Sequence, residues 1–293
     1  MTDRQEAPRQ EALPQEASRG LTVDADDLTP PPEIARRALR GRRPTHRTVA
    51  ILPLGATEQH GPHLSPDTDW IIAEAMAERA AGRAKADTVV LPAERIGYSP
   101  EHLAWPETRS LGYADAVERW CAIARWLSAG GVRRVLLLNA HGGNAPLMTV
   151  AATELRVRDR LLCATTAWTR HGDPTALVGV PEKRHGIHAG LIETSVMLAL
   201  RPDLVRMGDA KRFGSLQEAH EREHRHLRAY GPHAHGWTME DLNPSGATGD
   251  AASATPELGE ALIEDAVAGL AGLVEEVVAF DPPWFGDDHD SVT

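Results

Sequence analysis

Short apolar segments alternate with segments of helical periodicity from residue 48 onward, and this alternation limits the folds open to the chain. Runs rich in Val, Ile and Leu predict four strands, at Thr48–Leu54, Thr88–Pro92, Val132–Asn139 and Leu161–Ala167. Apolar residues at helical spacing predict helices over Asp69–Arg83, Tyr113–Ala129, Pro146–Arg158, Ala189–Leu200 and Leu258–Val278. Strands that alternate with helices form βαβ units, and nearly continuous apolar strands suit a sheet covered on both faces. The pattern therefore predicts an α/β fold with a mostly parallel sheet.

Charge and cysteine content exclude several classes of protein. The 31 Lys and Arg against 42 Asp and Glu give a formal net charge of −11, which argues against a nucleic-acid partner. Cys121 and Cys163 are too few for a disulfide framework, and both lie in apolar patterns typical of buried thiols in a reducing compartment. No apolar run approaches the ~20 residues that span a bilayer, and residues 1–20 lack the apolar core of a signal peptide. We expect a cytoplasmic protein without a membrane partner.

The two irregular parts of the chain differ in character. Residues 1–27 are too polar to pack and are expected to form a disordered tail, followed by a single domain over residues 28–293. Residues 203–257 are irregular and are interpreted as an arm or a set of loops over the site. Five histidines in this stretch suggest a metal site by composition, but a solvent-exposed helix and loop is the favoured interpretation: His220, His224, His226, His233 and His235.

The first polar cluster comes where the first predicted strand ends, which is where open parallel sheets bind ligands. Glu58 and His60 follow this strand two residues apart, and Asp69 begins the next helix. Two carboxylates and an imidazole on one strand–loop–helix corner suit Zn²⁺, Mn²⁺ or Fe²⁺. The alternative is that Asp69 is a helix cap and His60 is a surface residue.

Three further clusters carry candidate site residues. His141 follows the third predicted strand in Asn139-Ala140-His141-Gly142-Gly143-Asn144, where Asn144 could cap the next helix. His185 and His188 precede a predicted helix and Glu193 lies within it, so these residues could serve as ligand, base or orienting group. The fourth cluster, Gly97–His102, contains Ser99 and could hold substrate. Each of these residues, taken singly, is more often structural than catalytic.

Together these clusters resemble the creatininase family of metal-dependent amidohydrolases. The matching segments are TEQHGPH, DTD, GYSPEH, NAHGGN and HAGLIETS between about Thr48 and Met207, with DLNPSGATGDAASAT as a family-like tail to about Thr255. The resemblance implies a three-layer α/β sandwich, assembled as a homohexamer. It also implies two divalent metal ions that share Asp69, with Glu58 and His141 as ligands of one ion and His60 as a ligand of the other. His188 maps onto the proton-transferring histidine and Ser99 onto a substrate-contacting serine.

One position departs from the family pattern and decides which relatives are relevant. Creatininase carries a metal-binding glutamate two residues after the metal histidine, and this chain has Gly143 there. We therefore expect Glu193 to complete the second metal site. Trp168, at the end of a strand, is interpreted either as a substrate-binding residue or as core. The expected reaction is hydrolysis of an amide C–N bond, in a cyclic or linear small molecule, by metal-activated water.

Relatives with the HGGN form of the motif resemble formamide deformylases of flavin and deazaflavin synthesis, or the peptidase of mycofactocin maturation. Both therefore stay open as alternatives to a creatininase-like amidohydrolase. A catalytically inactive metal-binding protein is the remaining interpretation, and the presence of all five proposed ligands and His188 argues against it.

Overall fold

A parallel four-stranded sheet forms the centre of the molecule in the computed structural model, which describes residue 23 and residues 28–288. The strands are β1 Val49–Leu54, β2 Thr88–Val90, β3 Arg134–Asn139 and β4 Leu162–Ala167. Their spatial order is β2-β1-β3-β4, and every neighbouring pair is parallel. The predicted α/β fold with a parallel sheet is confirmed.

Ten helices surround the sheet within the described residues. They are α1 Pro31–Ala38, α2 Thr68–Arg83, α3 Tyr113–Ala129, α4 Ala145–Asp159, α5 Pro174–Val178, α6 Val180–His185, α7 Leu191–Leu200, α8 Leu216–Glu223, α9 Met239–Leu242 and α10 Pro256–Ala279. A short antiparallel pair, β5 Arg212–Phe213 and β6 Gly249–Asp250, lies outside the main sheet. None of these helices is both long enough and apolar enough to cross a membrane.

The core is divided into two layers by the alternation of side chains along the strands. Val49 and Ile51 of β1 pack in a cluster with α2, α7 and α10, whereas Ala50 and Leu52 pack in a second cluster with α1, α3 and α4. Successive side chains of a strand point to opposite faces, so a strand that is buried throughout contributes to both clusters. The result is the three-layer sandwich that the family resemblance implied.

Two helix boundaries differ from the prediction for local reasons. Helix α7 begins at Leu191 rather than at residue 189, because Ala189 has a positive φ of 51° and Gly190 is extended. Helix α10 begins two residues before Leu258, because the Thr255 side chain accepts a hydrogen bond from the Leu258 amide and a proline occupies the first turn.

Residues 1–22 and 24–27 of the predicted tail lie outside the described residues. Val23, which the structure does describe, packs against the second core cluster together with Leu28. Contact with the domain therefore begins before the predicted boundary at residue 28. Both cysteines are free thiols, with Cys121 buried and Cys163 half-buried.

Candidate metal centre

The register of the sheet brings the first two polar clusters together. Leu54 of β1 pairs with Asn139 of β3, so the loops that follow these strands leave the same edge side by side. The loop after β1 carries Glu58 and His60, and the loop after β3 carries His141. All three side chains are buried, which is unusual for such polar groups unless they have partners.

Asp69 lies between the two histidines and directs one carboxylate oxygen toward each. Its Oδ1 is 3.2 Å from His60 Nε2, and its Oδ2 is 3.3 Å from His141 Nδ1. Asp69 reaches this position because it occupies the first turn of α2, and its side chain is 2% exposed. A carboxylate in this position can bridge two cations.

Two further carboxylates complete a pair of half-sites. Glu58 Oε2 is 3.1 Å from His141 Nδ1, and Glu193 Oε2 is 3.9 Å from His60 Nε2. One half-site therefore contains Glu58 and His141, the other contains His60 and Glu193, and Asp69 belongs to both. The predicted ligand set is brought together in full, on elements separated by more than 100 residues in the sequence.

Backbone carbonyl groups determine which nitrogen of each histidine faces the carboxylates. His60 Nδ1 donates to the Glu58 backbone oxygen at 3.0 Å, and His141 Nε2 donates to the Tyr98 backbone oxygen at 2.8 Å. Because a carbonyl oxygen can only accept, the protons lie on these two nitrogens. With a cation in the cluster in place of a second proton, His60 Nε2 and His141 Nδ1 would each offer it a lone pair, as metal-binding histidines do.

The donor set fits divalent cations. Asp69 Oδ2 is buried and has no hydrogen-bond partner. Ligand atoms that each lie about 2.0–2.2 Å from one cation are about 3–3.5 Å apart, which matches the closest nitrogen–oxygen distances given above. Carboxylate and imidazole ligands suit Zn²⁺, Mn²⁺ and Fe²⁺ alike.

The concentration of negative charge shifts the pKa values of the cluster. Burial alone would lower the pKa of His60, but the charges of Asp69, Glu193 and Glu58 raise it to about 10. Burial raises the pKa of Glu193 to about 7, whereas the pKa of Asp69, despite its burial, is held well below the usual range by His60 and His141. These shifts reflect burial and the mutual attraction of the imidazole and carboxylate groups.

The cluster opens into a cavity of about 350 Å³. Its polar end is formed by four of the five proposed ligand residues, Glu58, Asp69, His141 and Glu193, together with His102 and His188. Its other walls are formed by Glu101, Ala140, Gly142, Gly143, Ile187, Tyr230 and Trp237. A small molecule in this cavity would lie directly beside the side chains of Glu58, Asp69, His141 and Glu193. The arrangement could hold divalent cations beside a cavity large enough for a small molecule.

Comparison with known proteins identifies the family. The family model described as creatinine amidohydrolase matches residues 33–274. The chain belongs to the creatininase family. The mycofactocin precursor peptide peptidase of Mycolicibacterium smegmatis is 33% identical over 235 residues, covering 78% of this chain and 84% of that protein. The creatinine amidohydrolase of Pseudomonas putida is 30% identical over 246 residues, covering 78% and 89%.

A solved structure of creatininase with Mn aligns with a TM-score of 0.65 and 28% identity, covering 88% of this chain and 98% of that one. This agreement extends the family resemblance to the whole sandwich. The deformylase and peptidase alternatives that the motifs left open belong to the same family of hydrolases as the creatinine amidohydrolase.

His188, the proton-transfer candidate of the family, is placed beside the ligand cluster. Its Nε2 donates to the Gln59 backbone oxygen at 2.8 Å, and its Nδ1 is 3.7 Å from Glu58 Oε1. Burial and the neighbouring His60, whose ring centre is 4.3 Å away, lower the pKa of His188 well below its usual value. The imidazole is therefore neutral, and its free Nδ1 can accept a proton.

The two predicted substrate-binding residues lie elsewhere. Ser99 is fully buried and its hydroxyl donates to Glu58 Oε2, so it orients a ligand carboxylate and does not line the cavity. Trp168 is 3% exposed and packs in the apolar core between the sheet and α10, because β4 ends beneath that helix. The core interpretation of Trp168 is the one that the structure supports.

Two other residues of the clusters are also used differently from the prediction. Asn144 does not cap α4, because its side chain accepts from the Tyr98 amide and donates to the Gly55 carbonyl oxygen. It thereby joins the loop after β1 to the segment that carries Ser99. His185 lies outside the cavity and pairs with Glu221 at 3.1 Å.

Sequence reasoning did not single out Gln59 and His102. The Gln59 amide nitrogen lies 2.8 Å from His102 Nδ1, and its amide oxygen accepts from the Gly61 amide at 2.9 Å. His102 Nε2 then faces Glu58 Oε1 at 3.5 Å. Both residues sit in the motifs already quoted, but only their burial and mutual contact show that they orient Glu58 and His188.

Glu182 is the other residue that the sequence did not reveal. Its side chain is buried, and its two oxygens accept hydrogen bonds from the amides of Leu191, at 2.8 Å, and Asp250, at 2.9 Å. Three glycines leave room for this carboxylate, since a Cβ at Gly186, Gly190 or Gly249 would lie within 2.5 Å of it. Glu182 thus fixes the start of α7, the helix that carries Glu193.

Proposed function

We propose that this chain hydrolyses an amide C–N bond in a small molecule, cyclic or linear, with two divalent cations held by Glu58, His60, Asp69, His141 and Glu193. The observation that carries the proposal is the position of Asp69, with one oxygen toward each histidine and a further carboxylate beside each. A single-cation site would need only one of these half-sites.

Bound cations would supply an activated water and polarise the amide carbonyl group, which is chemistry that the side chains alone do not provide. Glu58 and His141 hold one position, and His60 and Glu193 hold the other. The free Nδ1 of His188 is placed to take a proton from the attacking water and to deliver it to the leaving nitrogen. Such proton transfer contributes typically about 10²–10⁴-fold to a rate.

Gly143 argues that the substrate is not creatinine. A Cβ at this position would lie 2.3 Å from the Tyr98 backbone oxygen and 2.7 Å from Glu101 Oε1, so the loop has no room for the glutamate found in creatininase. In this chain, Glu193 takes the ligand role that this glutamate has in creatininase. A formamide or a short peptide therefore remains a candidate on the same site, and the 33% identity to a peptide peptidase supports the second.

Four finer statements complete the proposal. The cations are Zn²⁺, with Mn²⁺ or Fe²⁺ as alternatives, because carboxylate and imidazole ligands suit all three. The chain assembles as a homohexamer, as family resemblance implies, and acts in the cytoplasm, in keeping with its two free thiols. Residues 28–293 form a single amidohydrolase domain.

The test is hydrolysis by metal-loaded and by chelator-treated protein of a panel containing creatinine, formamides and short peptides. Elemental analysis of the loaded protein should give two divalent ions per chain, and at least one amide class should be cleaved only by that form. A metal-free protein of equal activity would contradict the mechanism. Two bound ions without turnover of any amide would favour the inactive metal-binding protein instead.

A further inference from the structure

The cavity has an aromatic wall on the side away from the β-strand loops. Tyr230 and Trp237 line it together with Ile187, and all three side chains are half-buried. Both aromatic residues come from the irregular segment that the sequence placed over the site. A half-buried aromatic ring on the wall of a cavity leaves one face available to a bound molecule.

The two aromatic side chains of the wall are held in place by packing against a small apolar cluster. Tyr230 and Trp237 pack against a small cluster formed by Ala229, Met239 and Leu242. Trp237 immediately precedes the N-cap of α9, Thr238, and Leu242 is the fourth residue of the helix, which is the geometry of a hydrophobic staple. A reciprocal capping box between Thr238 and Asp241 fixes the same turn. The position of Trp237 is therefore set before any substrate binds.

The polar tip of Tyr230 is satisfied by the protein. Its hydroxyl donates to the backbone oxygen of Arg184 at 2.8 Å, and Arg184 does not line the cavity. The hydroxyl is therefore not free to bind a substrate, and Tyr230 contributes its ring.

The charges around the cavity oppose an anionic substrate. Four carboxylates line it, those of Glu58, Asp69, Glu101 and Glu193, and two divalent cations would balance their four negative charges. In the part of the chain that the structure describes, no Lys or Arg side chain lines this cavity. A phosphate or carboxylate group on the distal part of a substrate would have no cationic side chain to pair with, and Glu101 would repel it.

We infer that Tyr230 and Trp237 form a subsite for a flat, uncharged apolar group next to the scissile amide. The inference rests on the proposed function, because it takes the metal centre as the place where the amide is held. It assigns selectivity to residues 230 and 237.

Hydroxamates test the subsite by binding, without requiring turnover. Their metal-chelating group would anchor at the centre, so that acetohydroxamate and benzohydroxamate differ only in the group that reaches the wall. Calorimetry on the metal-loaded protein should give a Kd for benzohydroxamate about two- to tenfold lower than for acetohydroxamate, the range expected for an aromatic contact. A 4-carboxylate on the benzohydroxamate ring should weaken binding by about tenfold.

Substitution then locates the effect. Trp237→Ala and Tyr230→Ala should each bring the Kd ratio close to one, whereas Trp126→Ala, which removes an indole that is 51% exposed on α3, should leave it unchanged. The inference is overturned if the Kd ratio of the wild-type protein is already near one, a result that does not depend on the folding of any variant. It is also overturned if the Kd ratio is unchanged in both variants. If no amide is hydrolysed but the Kd ratio is as expected, the proposed function is refuted and the subsite is still supported.

Discussion

Replacing Glu182 by glutamine tests whether the buried carboxylate at the start of α7 holds a metal ligand in place without touching the metal. The carboxylate accepts from two backbone amides that belong to different elements, Leu191 of α7 and Asp250 of β6. Glutamine keeps the size of the side chain but has only one accepting oxygen. One of the two amides must then face the NH₂ group and lose its partner.

The expected cost follows from these two contacts. A hydrogen bond to a charged group contributes about 1.5–3 kcal/mol, and a buried donor without a partner costs about 1–3 kcal/mol. Because the side chain is 8% exposed, solvent restores little of this, and the free energy of unfolding should fall by about 2–5 kcal/mol. At about 2–4 °C per kcal/mol, the thermal midpoint should drop by about 4–20 °C.

The same substitution should weaken metal binding. Helix α7 carries Glu193, and loss of a residue that orients a ligand typically reduces metal affinity about 10–100-fold. Glu221→Gln is the matched control, because Glu221 pairs with Arg184 and His185 near the end of α6 but is 23% exposed and lines no part of the cavity. A solvent-accessible pair of this kind contributes about 0–1 kcal/mol, so the control should keep both its midpoint and its metals.

Titration of zinc into the metal-free variants, together with thermal unfolding, measures both effects. If Glu182→Gln unfolds within about 1 kcal/mol of the wild type, the two amides are not buried as the structure places them. If it is destabilised but binds zinc with unchanged affinity, Glu182 supports the fold without positioning Glu193.

Four further results are expected from the candidate metal centre and its surroundings. Glu193→Gln should retain one metal ion by elemental analysis, with an unchanged circular dichroism spectrum, and two bound ions would contradict the assignment of Glu193 as a ligand. His188→Ala should retain two ions and lose about 10²–10⁴-fold in turnover. Gly143→Ala places a Cβ 2.5 Å from His141 Nε2, and this overpacking should lower the free energy of unfolding by about 1–3 kcal/mol. Chemical denaturation measures the loss, and an unchanged denaturation midpoint would contradict the expected overpacking. Chelation should lower the thermal midpoint, because cations at about 100 times their Kd add about 2.7 kcal/mol to the native state.

Part of the site was readable from the sequence because local patterns encode it. The end of an apolar strand such as Thr48–Leu54 can be located from the sequence, and two such ends are followed closely by Glu58, His60 and His141. Parallel pairing then forces the two loops together, whatever the details of packing. The departure at Gly143 was equally visible, and it directed attention to Glu193.

Other residues acquired their roles only from tertiary packing. Ser99 was expected to contact substrate, and Trp168 was expected either to contact substrate or to lie in the core. Ser99 instead donates to Glu58 and Trp168 fills the core, because the direction of a side chain in a loop or at a strand end depends on its neighbours. The sequence did not indicate the roles of Glu182 and Gln59, because a glutamate or glutamine that accepts a hydrogen bond from a backbone amide cannot be distinguished by sequence from a surface residue. The alternation of apolar segments determined the sheet and its binding edge through local propensity. The aromatic wall of the cavity required a segment far along the chain to fold back over that edge, which only long-range packing decides.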